Sequence, residues 1–189
     1  MRVFVAVAVI VVITTLLTPL VRVAHSWRGA AAHEDVALQL DCYVLRAETN
    51  GHGKVSGALA CAELVDQINH DDGAAYLVVS DDVGAEAGWV EASAVWTATF
   101  TLLAALLGIA AGTIPSARPP LRRFSIQAAI LGAAGGVVML NAVQRLLRAV
   151  ERPHDLNGAT FGEIGVGVYV TVACPLVLLA HSMRLKTDG

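Results

Sequence analysis

Four stretches of this chain are long and apolar enough to cross a bilayer as helices. They cover residues 3–21, 92–114, 124–144 and 164–180. A helix needs about 20 apolar residues to cross a hydrocarbon core of about 30 Å. Strands of a membrane barrel alternate in polarity, whereas these runs are continuously apolar. The sequence therefore predicts an all-α membrane protein, built as a bundle of four transmembrane helices.

The first run has a second interpretation, which is a signal peptide. The apolar region of a signal peptide usually covers only about 7–15 residues and is followed by a cleavage site of small residues. Here residues 3–21 carry no charge over their whole length, and the small residues 30–32 lie well beyond their end. We therefore favour a membrane anchor that is retained.

The longest connection, residues 22–87, is acidic, with eleven acidic residues against four basic ones. Residues 36–45 are rich in strand-forming side chains, and residues 75–80 form a second strand candidate. Residues 57–68 have apolar positions at helical spacing. The pattern predicts a small α+β module outside the membrane. The other predicted segments outside the membrane are a basic turn at 115–123, a second external loop at 145–163 and a C-terminal tail at 181–189.

Two of the three cysteines, Cys42 and Cys61, lie in the long loop, whereas Cys174 lies in the fourth span. In an extracytoplasmic loop such a pair would form a disulfide, which would stabilise the loop by roughly 3 kcal/mol. Two free thiols and a partial metal site are the alternatives. The spacing lacks the CxxC or paired histidines of a zinc site, so we expect a disulfide and assign no metal.

The sequence gives no sign of an enzyme. It contains no Gly-x-Ser-x-Gly elbow, no Walker loop and no Cys-x-x-Cys pair. Two acidic triplets, residues 33–35 and 70–72, each include a histidine but lack the spacing of an EF-hand. We interpret them as solvated turns and expect no cofactor. The net charge of −3 gives no reason to expect a nucleic-acid partner.

Glycines at a spacing of four mark one face of the second span and one face of the third. They are Gly108 and Gly112 in the second span, and Gly132 and Gly136 in the third. Small residues at this spacing let helix backbones approach closely in lipid. We predict that they pack helices within the bundle. An interface between two copies is the alternative.

Both termini lie on one side of the membrane if the chain has four spans. Arg118, Arg122 and Arg123 in the short turn favour the cytoplasm for that side, although Arg145, Arg148 and Arg152 favour the opposite orientation. An external disulfide adds weight to cytoplasmic termini. The sequence therefore predicts a multi-pass plasma-membrane protein with the long loop outside the cell.

This plan resembles that of the claudin-type tetraspans, and the amastin-like surface proteins come closest in length. The amastin loop motif runs Cys, apolar, Ser/Thr, apolar, Trp, Gly. Here Cys42, Tyr43 and Leu45 match that motif, whereas Val44 and the two residues after Leu45 depart from it. The resemblance implies a surface protein that contacts other membrane proteins or like subunits through its first external loop.

Two functions follow from these observations. The first is a non-enzymatic surface protein whose loop mediates protein or cell contact, with membrane lipids and other membrane proteins as partners. The second is an accessory subunit of a larger membrane complex, such as a transporter or respiratory assembly. Ionisable residues inside spans normally mark ion pathways. The spans contain almost none, so a channel or transporter is disfavoured.

Overall fold

The computed structural model describes residues 1–28, 34–50, 53–57, 59–70, 81–150 and 159–187. Within this part of the chain, the helices are α1 (Arg2–Leu17), α2 (Ala60–His70), α3 (Asp81–Thr113), α4 (Arg118–Val150) and α5 (Val166–Thr187). A short 3-10 turn, Pro115–Ala117, links α3 to α4. The strands are β1 (Val21–Arg28), β2 (Glu34–Cys42), β3 (Arg46–Thr49), β4 (Gly53–Ser56) and β5 (Ala159–Ile164).

Helices α1, α3, α4 and α5 pack against one another as a bundle, and α3 with α4 forms the most extensive pair. Three helical segments of the described residues are long and apolar enough to cross a membrane, Val83–Thr113, Pro115–Val150 and Val166–Met183. Helix α1 has 16 residues and is about 24 Å long at a rise of 1.5 Å per residue. The structure therefore supports three of the four predicted spans and does not confirm the first.

Helix α1 is shorter than its apolar run because of a proline. The predicted first span continued to Val21, but α1 ends at Leu17 and Val21 begins β1. Thr18 has extended backbone angles, φ −113° and ψ 130°, which is the conformation that a following proline favours. Pro19 thus ends the helix inside an apolar stretch.

The other bundle helices are longer than their apolar runs. Helix α3 begins at Asp81, inside the predicted long loop, and α4 continues to Val150, inside the predicted second loop. Backbone hydrogen bonding does not stop where the side chains become polar. The apolar run marks the part of a helix suited to the hydrocarbon core, whereas the helix itself continues into the polar region.

A five-stranded antiparallel sheet lies at one end of the bundle, in the order β4-β3-β2-β1-β5. Strands β1 to β4 and helix α2 come from the connection between α1 and α3, as predicted for the α+β module. Strand β5 comes from the second connection, which the sequence does not predict to be part of the module. The strand candidate at 75–80 lies outside the described residues.

The sheet is joined to the bundle where the chain passes between α1 and β1 and between β5 and α5. The Gly165 amide donates to Leu20 O at 2.8 Å, and the Gly167 amide donates to Pro19 O at 3.1 Å. A side chain at Gly165 would overlap the backbone of Pro19. Glycine is therefore required for the two chain segments to approach this closely.

Module and bundle share one apolar core. Its buried residues come from the sheet, from α2 and from the bundle helices, and they include Val21, Val44, Leu64, Val90, Val143 and Val168. A second cluster fills the opposite end of the bundle around Phe4, Val11, Ala105 and Leu178. The shared core means that the module packs directly on the bundle.

The four glycines selected from the sequence all lie at helix contacts, but with different tightness. A side chain at Gly108 would overlap the ring of Phe4 on α1, whereas the nearest atom at Gly112 is Met1 Sδ at 3.9 Å. A Cβ at Gly132 would lie 3.0 Å from Thr101 Oγ1, and one at Gly136 would lie 3.5 Å from Val172. Gly108 and Gly132 are thus the tight positions of the four.

Replacing Gly108 with alanine is expected to destabilise the bundle, because Phe4 is buried and must move to admit the methyl group. Gly112→Ala is the matched control on the same helix, and both variants share the gain in helix propensity. We expect Gly108→Ala to be less stable than Gly112→Ala by about 1–3 kcal/mol, measured by thermal unfolding in detergent micelles. Equal unfolding temperatures would contradict the α1–α3 contact.

Candidate functional site

Helix α2 lies against the first turns of α3, where small residues allow close packing. Gly84 of α3 faces Val65 of α2, and Gly88 faces Ala62. Leu64 and Val65 are fully buried in the shared core, whereas Glu63 is exposed. The amphipathic spacing seen in the sequence therefore places the apolar face of α2 on α3 and the sheet.

The predicted disulfide joins α2 to the sheet. Cys42 is the last residue of β2, and Cys61 is the second residue of α2. Their Cα atoms are 5.4 Å apart, and the two residues form a disulfide that is almost completely buried. Cys174 is a free, buried thiol in α5. The disulfide thus fixes the start of α2 beside the end of β2.

A second attachment holds the same end of α2, and it is made by Glu91 of α3. The carboxylate of Glu91 is fully buried. Its Oε1 accepts the backbone N–H of Cys61 at 2.5 Å, and its Oε2 accepts that of Ala62 at 3.2 Å. One side chain therefore binds two amides in the first turn of α2, immediately beside the disulfide. We call Glu91, the disulfide and these two amides the junction.

The burial of Glu91 is explained by what it binds. The first amides of a helix have no partner within the helix, and they carry the positive end of its dipole. Leaving a buried backbone donor without an acceptor costs about 1–3 kcal/mol, so each of these two hydrogen bonds stabilises the start of α2. The carboxylate thus finds donors in a place that water does not reach, and α2 gains a cap from a different helix.

The side of the sheet away from the bundle carries paired charges. Arg22 on β1 donates from Nε to Asp41 Oδ1 at 2.7 Å and from Nη2 to Oδ2 at 3.2 Å. Gln39 donates to the same carboxylate at 3.1 Å. The hydrogen bond to Asp41 raises the pKa of Arg22 above its usual value. This forked pair joins strands β1 and β2, which are neighbours in the sheet.

A second set of polar contacts crosses strands β3 and β4. Lys54 Nζ lies 2.9 Å from Glu48 Oε2, and the Tyr43 hydroxyl donates to Glu48 Oε1 at 3.1 Å. The hydrogen bond from Lys54 is the main reason that the pKa of Glu48 is lowered. Arg46 lies over the Tyr43 ring, with its guanidinium carbon 4.0 Å from the ring centre. These contacts fix the charged groups in place on the surface of the module.

Between the two sets lies a shallow cavity of about 260 Å³, lined by Gln39, Asp41, Glu48, Thr49, Asn50 and Lys54. Lys54 and Asn50 are exposed, and Asp41 is buried. We call these six residues the polar face. It offers a partner hydrogen-bond donors and acceptors as well as charged groups of both signs. The sheet holds these groups in place.

The described side chains include no group of three or more His, Cys, Asp or Glu residues that could hold a metal ion. Of the two acidic triplets, residue 33 and residues 71 and 72 lie outside the described part of the chain. The polar face offers groups for hydrogen bonding and charge pairing.

Two important positions were not selected from the sequence. Glu91 lies at the edge of the second apolar run. An ionisable residue in a membrane span usually pairs with another group or has a functional role. Gly135 packs more tightly than Gly132 and Gly136 on the same helix, since a Cβ there would lie 2.6 Å from Thr97 Oγ1. It falls outside that spacing, so the pattern could not identify it.

Comparison with known proteins adds no relative to this description. No protein-family model matches the chain, and no curated protein matches it significantly.

Replacing Glu91 with alanine is expected to lower the free energy of unfolding by about 2–4 kcal/mol, because two buried amides lose their acceptor. Glu91→Gln keeps one acceptor oxygen and should lose less. Glu63→Ala, an exposed change in the same turn of α2, should cost less than about 1 kcal/mol. Denaturant unfolding in micelles measures all three variants. Equal stability of Glu91→Ala and Glu63→Ala would contradict the junction.

Proposed function

We propose that this protein is a non-enzymatic, multi-pass plasma-membrane protein whose external module mediates contact with another protein or cell. The observation that carries the proposal is the construction of the module. Both connections at one end of the bundle contribute strands to a single sheet, and the disulfide with Glu91 attaches its helix to α3. A surface held this firmly is suited to recognition, since little order is lost on binding.

We propose further that α1 completes a four-span bundle. It carries no charged residue after Arg2, and it packs against α3 and α5. Residues 18–20 are not helical and add about 10 Å in extended form to the 24 Å of the helix. Hydrogen bonds to Pro19 O and Leu20 O satisfy backbone groups there, which is what lipid requires of non-helical backbone.

The polar face is the part of the module that we assign to contact. Interfaces of proteins that bind and separate are about as polar as the rest of a protein surface. Asn50 and Lys54 are exposed there, and the ion pairs beneath them orient the groups that a partner would meet. The resemblance of the chain plan to claudin-like and amastin-like tetraspans favours a membrane protein or a like subunit as that partner.

A single labelling experiment tests both the orientation and the contact. Asn50→Cys lies on the polar face, and Ser116→Cys is an exposed control in the turn at the opposite end of the bundle. On intact cells, a membrane-impermeant photoactivatable maleimide should label only the Asn50→Cys variant. Irradiation should then give protein adducts from that site.

Labelling of Ser116→Cys instead of Asn50→Cys would overturn the external placement of the module. Labelled Asn50→Cys without protein adducts would overturn the contact function. The native mass of the detergent-extracted wild-type protein tests the alternative function, an accessory subunit. A discrete complex with different chains would support that alternative over the contact function.

A further inference from the structure

A second candidate site lies at the end of the bundle opposite the sheet. Met1 of α1 lies near Gly112 at the end of α3, and Arg122 of α4 donates to Ser182 O of α5 at 2.9 Å. The ends of the four bundle helices therefore meet here. In the proposed orientation this end faces the cytoplasmic surface of the membrane.

This end of the bundle is strongly basic. Arg2, Arg118 and Arg123 are exposed, and Arg122 is partly buried. The sequence contains no acidic residue between Glu91 and Glu151, and the first turn of α4 has none. Among the described residues, Arg118 and Arg123 have no carboxylate partner. Their exposed guanidinium groups are open to an anionic ligand from outside the chain.

A cavity of about 440 Å³ lies beside these arginines, lined by Pro119, Pro120, Arg123, Phe124 and Gln127. Phe124 is 57% exposed. The lining thus combines the guanidinium group of Arg123 and the amide of Gln127 with an apolar wall formed by Phe124. Exposed apolar side chains continue along α4 from this wall, with Ile130 50% and Leu131 42% exposed.

We propose that this cavity binds the headgroup of an anionic phospholipid from the adjoining leaflet. The lipid phosphate pairs with Arg123 and Arg118, since guanidinium groups match phosphate oxygens in a bidentate manner. The acyl chains lie along Phe124 and the exposed apolar side chains below it. This assignment rests on the membrane placement proposed above.

The combination of groups explains why the ligand is a lipid and not a soluble anion. A free phosphate would gain nothing from the exposed ring of Phe124 or from the two prolines. A phospholipid uses both parts of the site, because its charged head and its apolar chains are separated in the same way. The inner leaflet also supplies anionic lipids, which attract basic residues at the surface.

The test uses the purified full-length protein in neutral detergent, with bound lipids counted by native mass spectrometry. Phosphatidylglycerol and phosphatidylcholine with the same acyl chains are titrated separately. Wild type should prefer phosphatidylglycerol. The double variant Arg118→Gln/Arg123→Gln should lose about ten- to thirty-fold in apparent affinity for it. Binding of phosphatidylcholine should not change.

Arg148→Gln is the matched control, since Arg148 is exposed on the same helix near its other end. Equal loss in this variant would show a non-specific charge effect and overturn the site. Displacement of phosphatidylglycerol by millimolar inorganic phosphate would overturn the lipid in favour of a free anion. The Cys42–Cys61 gel-mobility shift verifies folding. If the double variant fails that test, Arg123→Gln alone must show the selective loss, or the proposal is wrong.

Discussion

The carboxylate of Glu91 is the contact on which the arrangement of the module depends. It lies in a helix of the bundle, yet it binds the first amides of a helix from the loop. The disulfide between Cys42 and Cys61 holds the same turn from the side of the sheet. The disulfide and the hydrogen bonds of Glu91 thus converge on the start of α2, where the loop, the sheet and the bundle meet.

Helix α2 and the sheet pack on the bundle around this point. With the start of α2 fixed, Leu64 and Val65 are directed into the core shared by the sheet and the bundle. Strand β5 closes the other side of the sheet and passes directly into α5 through Gly165. The module therefore has attachments to α1, α3 and α5, and a small domain of this kind gains stability from its base.

Much of this architecture could be predicted from local patterns. The apolar runs indicated α3, α4 and α5, and helical spacing indicated α2. The segment rich in strand-forming residues predicted β2, and the position of Cys42 and Cys61 in the loop predicted the disulfide. Each of these features is encoded within a short stretch of sequence, by periodicity or by residue type.

Other features depend on distant pairing and could not be read locally. Strands β1 and β5 are separated by more than one hundred residues, and their pairing is stabilised only once the bundle has brought their ends together. Val21 lies in an apolar run that favours helix, but Pro19 ends the helix before it. The partners of Glu91 are backbone amides, which the residue types in the sequence do not identify.

Glu91 and the disulfide support the same turn of α2, and a double-mutant cycle measures whether the two attachments depend on each other. The cycle combines Cys42→Ala with Glu91→Gln and measures unfolding in micelles. Contacts that share a partner interact by about 0.5–3 kcal/mol, whereas independent sites add within about 0.5 kcal/mol. We expect a coupling energy above that limit. Strict additivity of the two changes would contradict it.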